Sequence, residues 1–314
     1  MNKNKALRKL SDTYKIFKSA ISNFGSNNPV ELAGTTAYFA TFSMAPIIII
    51  IISIFGFVVG NNTMREKLFE EVNALLGQES TEVLRNAIQN YQIADESTFG
   101  TILGLIFFLV AATTLFSIMQ NSINFIWRVK ARSSIKTGII KMLKDRFFSF
   151  GMILSLGFVL LISLIIDALV ASLKSFLSTY FSPDFVIFAQ LINLVISIGV
   201  VCAVFALIYR FLPDVQVNWS ASWFGALFTA VLFSLGKYLI SLVIGNSNVG
   251  MVYGTIGAFI GILLWIYFTS FIFYFGVELS RQFSLFYKHN NAPTSLAEPF
   301  KITTVEQPEA TAEK

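Results

Sequence analysis

Six long runs without Asp, Glu, Lys or Arg dominate the chain. Glu31 to Arg65 encloses 33 uncharged residues, Glu96 to Arg128 encloses 31, and Arg146 to Asp167 encloses 20. Asp184 to Arg210 encloses 25, Asp214 to Lys237 encloses 22, and Lys237 to Glu278 encloses 40 around a Gly245-Asn246-Ser247-Asn248 turn. A helix needs about 20 apolar residues to cross the hydrocarbon of a bilayer. Backbone polar groups must be satisfied inside lipid, and these runs are continuous rather than alternating, so helices are expected and a barrel is not. The pattern predicts an all-α polytopic membrane protein with six transmembrane helices at about 34–60, 98–126, 147–170, 185–209, 219–244 and 253–279.

Shorter amphipathic segments fill the rest. Within residues 1–30, Leu7, Leu10, Tyr14, Phe17, Ile21 and Phe24 recur at spacings of three and four, with Lys and Arg on the other faces. Such a helix either lies on anionic lipid or docks on the cytoplasmic side of the protein itself. Residues 64–97 are acidic and carry two apolar faces separated by Gly77-Gln78, which predicts an external cap of two short helices. Residues 131–146 predict a basic cytoplasmic helix, and the Pro-containing segment 286–314 is expected to be a disordered cytoplasmic tail.

Composition removes several classes of function. Charged residues make up only 13% and mean hydropathy is +0.68, whereas soluble domains carry roughly 25% charged residues. Cys202 is the one cysteine and His289 the one histidine. Neither an intrachain disulfide nor a clustered thiolate or imidazole metal site can be built, and a hydrolytic triad lacks its positioned histidine. No catalytic residues, metal or cofactor are expected. Of the 23 Lys and Arg residues, 18 fall in the first segment, the second-to-third and fourth-to-fifth connections and the tail. That side is expected to be cytoplasmic, which puts both termini inside.

Polar residues within the spans are candidates for a pathway, because they are costly in hydrocarbon. In the second span Thr113, Thr114, Ser117, Gln120, Asn121, Asn124 and Arg128 recur every three or four residues. They form either one wall of a cytoplasm-facing cavity or a set of interhelical hydrogen bonds. Glu31, Arg128, Arg210, Asp214, Glu278 and Arg281 cluster near the inner membrane edge, where several facing inward would make a charged vestibule. Glu278 and Arg281 are three apart and can pair along one helix. Lys237 and Asp167 fall at similar depth towards the outer side and form a candidate pair, or snorkel separately. Pro46 is a candidate kink in span one. Gly56/Gly60, Gly250/Gly254 and Gly257/Gly261 have the spacing of close helix packing.

These residues carry a family resemblance. The run from Thr36-Ala37-Tyr38 through Ser43 to Pro46 resembles the first-span signature of the YihY/virulence factor BrkB family. Asn124-Phe125-Ile126-Trp127-Arg128, Tyr209-Arg210-Phe211-Leu212-Pro213 and Gly236-Lys237 are similar to further elements of that family. So are Val252-Tyr253-Gly254-Thr255-Ile256-Gly257-Ala258, Leu264-Trp265-Ile266-Tyr267 and Gly276-Val277-Glu278-Leu279. The ordered set covers about residues 30–285. The resemblance implies a six-helix bacterial inner-membrane protein. The family was formerly labelled ribonuclease BN, but one histidine cannot supply the clustered ligands of a metal-dependent nuclease.

The expectation is a transporter or exporter of a small solute or lipid-type substrate, with Ser117, Asn121, Asn124, Arg128, Arg210 and Glu278 along its path and Lys237 with Asp167 as an outer gate. The alternative is a non-transporting scaffold for envelope integrity or lipid organisation. Expected partners are membrane lipids, a small-molecule or lipid substrate and further copies of the chain, and not nucleic acid.

Overall fold

A computed structural model describes residues 3–93, 98–131, 184–246, 249–295 and 297–302, with isolated positions between 147 and 162. The segment expected to be a basic helix (beyond Ala131), most of the expected third span and Asp167 lie outside the described residues. Seven helices are described: α1 (Lys3–Gly25), α2 (Pro29–Val59), α3 (Asn61–Ile93), α4 (Thr98–Ile126), α5 (Asp184–Phe211), α6 (Trp219–Asn246) and α7 (Val249–Phe286). Two short strands, β1 (Val129–Ala131) and β2 (Ala297–Pro299), pair antiparallel.

Helix boundaries follow local chemistry. Pro29 opens α2 at the position where its missing N–H costs nothing, and Glu31 lies in the first turn, where the helix dipole favours an acid. Asn218 caps α6 by accepting from the Ser220 N–H at 3.0 Å. α7 ends on Lys288 in the left-handed region (φ 52°). There the His289 N–H bonds to the Ser284 carbonyl at 2.9 Å and the Lys288 N–H to the Leu285 carbonyl at 3.1 Å, a Schellman closure. Gly60 (φ 93°) turns the chain between α2 and α3. Gly77 (φ 79°, ψ 169°) breaks α3 into two halves, at the Gly77-Gln78 junction expected between two cap helices.

Among the described residues, three apolar clusters hold the bundle. The largest joins the end of α4 (Ile123, Ile126) to Ala206 and Tyr209 of α5, Ala226 and Ala230 of α6, and Phe273 and Val277 of α7. A second packs Ile48, Ile51 and Ile52 of α2 against Leu68, Phe69 and Ile88 of α3 and Trp265 of α7. A third seats Ile16 and Ala20 of α1 on Leu279 of α7. The expected basic amphipathic helix therefore docks on its own protein along one face.

Among the described residues, three helices are long and apolar enough to cross a membrane by length and composition: Pro29–Phe55, Trp219–Gly236 and Phe259–Phe286. Val195–Phe211 is a shorter apolar helix. Leu227, Val231 and Leu235 on α6, and Ile260, Leu264 and Phe268 on α7, stay exposed at i, i+4, i+8 spacing. Stripes of bare aliphatic and aromatic side chains along helices of this length suit lipid contact. The molecule is an all-α membrane protein apart from its two-stranded clip.

The segment after α7 departs from expectation. Residues 287–295 and 297–302, at the start of the expected tail, fold back across the end of the bundle, while 303–314 lie outside the described residues. β2 pairs with β1, Pro293 bridges to Val215, and the Thr294 N–H bonds to the Asp214 carbonyl at 2.9 Å. The prolines suit this course, since an extended strap at a sheet edge leaves one side of its backbone without a ladder to feed. Ala131 likewise belongs to a strand rather than to the expected basic helix.

Candidate functional site

The end of the bundle where α4 and α7 finish and α2 begins carries a buried charge network. Glu278, on α7, is 0% exposed. Its Oε2 accepts from Asn27 Nδ2 at 3.0 Å, and its Oε1 accepts from Gln282 Nε2 at 2.6 Å. Arg281 Nη1 lies 3.3 Å from the same Oε1. Gln282 and Arg281 reach it because they follow at i+4 and i+3 on one helix face. Asn27 reaches it from the turn between α1 and α2, where its own N–H closes on the Phe24 carbonyl at 3.0 Å.

Arg128 joins the network through Asn27. Its Nη2 donates to Asn27 Oδ1 at 2.7 Å, while Nη1 donates to the Phe125 carbonyl at 3.3 Å and the guanidinium lies 5.3 Å from the Phe125 ring centre. The backbone of Arg128 is left-handed (φ 59°), which turns the chain out of α4 into β1. Burial and the nearby Arg281 lower the Arg128 pKa from its ordinary value, and Glu278 opposes that shift. The Asn27 carboxamide thus sits between an arginine and a carboxylate, accepting from one and donating to the other.

A second polar grip lies alongside. Asp214, 2% exposed in the connection between α5 and α6, accepts from Asn124 Nδ2 at 2.9 Å, and its N–H donates to Asn124 Oδ1 at 2.8 Å. Gln120 Nε2 approaches the other Asp214 oxygen at 3.4 Å. The strap after α7 completes it, since the Phe300 N–H bonds to the Arg128 carbonyl at 3.0 Å and the Gln216 N–H to the Ala292 carbonyl at 3.0 Å. Lys130 and Glu298 add an exposed ion pair at 3.5 Å across the strands.

Of the residues expected along a path, the structure brings Arg128 and Glu278 together and places Asn124 on Asp214. Asn121 is exposed, and Arg210 lies over the Trp219 ring at 5.7 Å. The hydroxyls of Thr114 and Ser117 close on carbonyls of their own helix, at 2.6 Å to Val110 and 3.1 Å to Thr113. Lys237 falls on α6, but its side chain and Asp167 lie outside what is described, so their pairing has no geometry here. Pro46 is buried inside a continuous α2.

Asn27 and Gln282 were not singled out in the sequence, although Gln282 is one helical turn from Glu278. Glycine packing also differs from the spacing argument. Gly60 serves a turn, and a Cβ on Gly261 would meet only Ser80 Oγ, at 4.0 Å. Gly257 is buried, while the surroundings of Gly56, Gly250 and Gly254 lie outside the described side chains. The close approach is instead between Gly225 of α6 and Gly276 of α7. A Cβ on Gly225 would strike the Gly276 carbonyl, and one on Gly276 would strike Thr229 Oγ1 and the Tyr209 hydroxyl. That gap admits the Tyr209 hydroxyl, which donates to the Phe273 carbonyl at 2.8 Å and pairs with Thr229 at 2.8 Å.

Comparison with known proteins adds the family. The profile described as Virulence factor BrkB matches residues 20–298. A UPF0761 membrane protein of Acinetobacter baylyi is 26% identical over 269 residues, covering 85% of this chain and 61% of its own length. One from Psychrobacter sp. is 26% identical over 278 residues, covering 87% and 49%. One from Pseudoalteromonas translucida is 27% identical over 254 residues, covering 80% of each. The chain therefore spans about half to three fifths of the length of the first two relatives. No solved structure matches it. A match over most of the chain, which takes in the Asn27, Arg128 and Glu278 positions, shows that this membrane protein belongs to the BrkB family.

Proposed function

We propose that the chain is a six-span inner-membrane transporter or exporter, with both termini cytoplasmic, whose inner end is held shut by the Glu278 network. The observation that carries this reading is the fully buried Glu278 carboxylate, served by Asn27, Arg281 and Gln282 and linked through Asn27 to Arg128. Buried ion pairs seldom stabilise a fold more than apolar packing of the same volume would. Ionisable side chains on membrane helices tend to mark solute or ion pathways. A network drawn from three separate chain segments suits a contact that forms and breaks. The helices α2, α4, α5, α6 and α7 supply five of the spans, and the uncharged run between Arg146 and Asp167 supplies the other. The bias of Lys and Arg supports the orientation. The reading is non-enzymatic, with a small solute or lipid-type molecule as cargo.

One observation favours the alternative, a scaffold that organises the envelope without moving a solute. Thr114 and Ser117 spend their hydroxyls on their own helix, and Asn124 is committed to Asp214. Native mass spectrometry of the gently solubilised protein separates the two readings. A stoichiometric solute or lipid-linked molecule retained by the wild type and lost in Arg128→Ala supports transport. Only bulk membrane lipid, unchanged by the substitution, favours the scaffold.

A further inference from the structure

We propose that the outward face of α1 is a binding site for an anionic phospholipid, independently of what the bundle transports. α1 uses only part of its apolar surface in docking: Ile16, Ala20 and Phe24 are buried, and Phe17 meets the Phe228 ring of α6 at 4.6 Å. The neighbouring sector stays bare, with Tyr14 68% and Ile21 63% exposed. This sector opens on an apolar cavity of about 650 Å³ lined by Thr13, Tyr14, Phe17, Lys18, Ile21 and Ser22.

Charge identifies the occupant. Lys18 stands at the rim of that cavity and Lys15 follows round the exposed side of the helix. The helix carries six Lys and Arg residues against the single acid Asp12. An apolar trough with ammonium groups along one border matches a molecule that is apolar along its length and anionic at its head. Location agrees: α1 packs against the first turns of α6, where Trp219 and Trp223 are 43% and 46% exposed. Exposed tryptophans at the end of a membrane helix mark the headgroup level. Acyl chain against Tyr14 and Ile21, with phosphate towards Lys15 and Lys18, satisfies both halves of the surface.

The test uses the full chain in nanodiscs of equal parts phosphatidylglycerol and phosphatidylcholine, read by native mass spectrometry after release. The wild type is expected to keep one phosphatidylglycerol in preference to phosphatidylcholine. Lys15→Gln with Lys18→Gln should weaken that preference by about fivefold for each lysine removed. The control Lys288→Gln with Lys301→Gln, an equal charge change at exposed sites, should leave it intact. Equal retention of the two lipids by the wild type overturns the proposal. So does an equal loss in both double variants, which would reduce the effect to net charge. Competition by millimolar inorganic phosphate also overturns it, because the site would then recognise free phosphate rather than lipid. All four substitutions are at exposed side chains, and an unchanged melting temperature confirms that the variants are folded.

Discussion

Truncating Asn27 tests the charge network most sharply, because that one carboxamide serves two ionised partners. Asn27→Ala removes the 3.0 Å donation to Glu278 Oε2 and the 2.7 Å bond accepted from Arg128 Nη2. A hydrogen bond to a charged group contributes about 1.5–3 kcal/mol. Two of them set a ceiling of about 6 kcal/mol, and water entering the space left by the side chain returns part of it. A loss of about 3 kcal/mol is expected, within the range seen when a buried ionic contact loses one partner. At roughly 2 °C per kcal/mol for a chain of this size, the melting temperature should fall by about 6 °C. Thermal unfolding in mild detergent, followed by tryptophan emission, is the assay, and Trp127 adjoins Arg128. Asn23→Ala is the control, because Asn23 is exposed and its side chain donates to the Ser19 carbonyl of its own helix. A shift for Asn27→Ala no larger than the control's would refute the claim that Asn27 couples the two charges. A double-mutant cycle with Arg128→Ala should show non-additivity of about 1 kcal/mol or more.

Further outcomes follow from the same contacts. Gly276→Ala should destabilise by about 1–3 kcal/mol through overpacking against Thr229 and Tyr209, whereas Gly261→Ala, whose Cβ would make only an ordinary contact with Ser80 Oγ at 4.0 Å, should be neutral or up to about 1 kcal/mol more stable through helix propensity; paired denaturation curves check this. Deleting residues 290–314 should speed amide exchange at 129–131 and 214–217, which the strap covers, and leave the middle of α7 unchanged. Glu298→Ala should cost less than about 1 kcal/mol, because its pair with Lys130 is exposed. Asp214→Asn should cost about 1–1.5 kcal/mol, because the acceptor facing the buried Asn124 becomes a neutral one; both changes are read by melting temperature.

What was legible in the sequence is what depends on local spacing. Runs of uncharged residues mark where α2, α4, α5, α6 and α7 lie, and Gly77 marks the break in α3, because both signals are contained in a few turns of chain. The Glu278–Arg281 contact is legible for the same reason. Asn27 is not: its partners lie 101 and 251 residues away, and a lone asparagine in a turn looks like turn chemistry. Asn124 showed as part of a polar stripe, but the stripe does not reveal that Asp214 is what it holds. The paired-glycine spacing did not point to the close approach that the structure describes. It looks along one helix, whereas Gly225 and Gly276 belong to two helices and are adjacent only once these cross. The strap after α7 was hidden because proline-containing polar sequence also describes disorder. Its order comes from backbone partners in β1 and at Asp214 and Gln216.

The central claim is that the Glu278 network closes one end of a bundle that opens. Its most direct measurement is the reactivity of a cysteine placed at Ser117, about two turns deeper along α4 than Asn124, with Cys202→Ser removing the native thiol. A small membrane-impermeant maleimide is applied to inverted vesicles, with and without Glu278→Gln, and Asn121→Cys serves as the exposed reference. The account predicts slow labelling at position 117 with the network intact and labelling at least about tenfold faster once it is broken, corresponding to about 1.4 kcal/mol in the opening equilibrium, while position 121 labels rapidly in both. Equally slow labelling at 117 in both backgrounds, with the folded protein retained, would contradict a gate and leave a permanently packed scaffold.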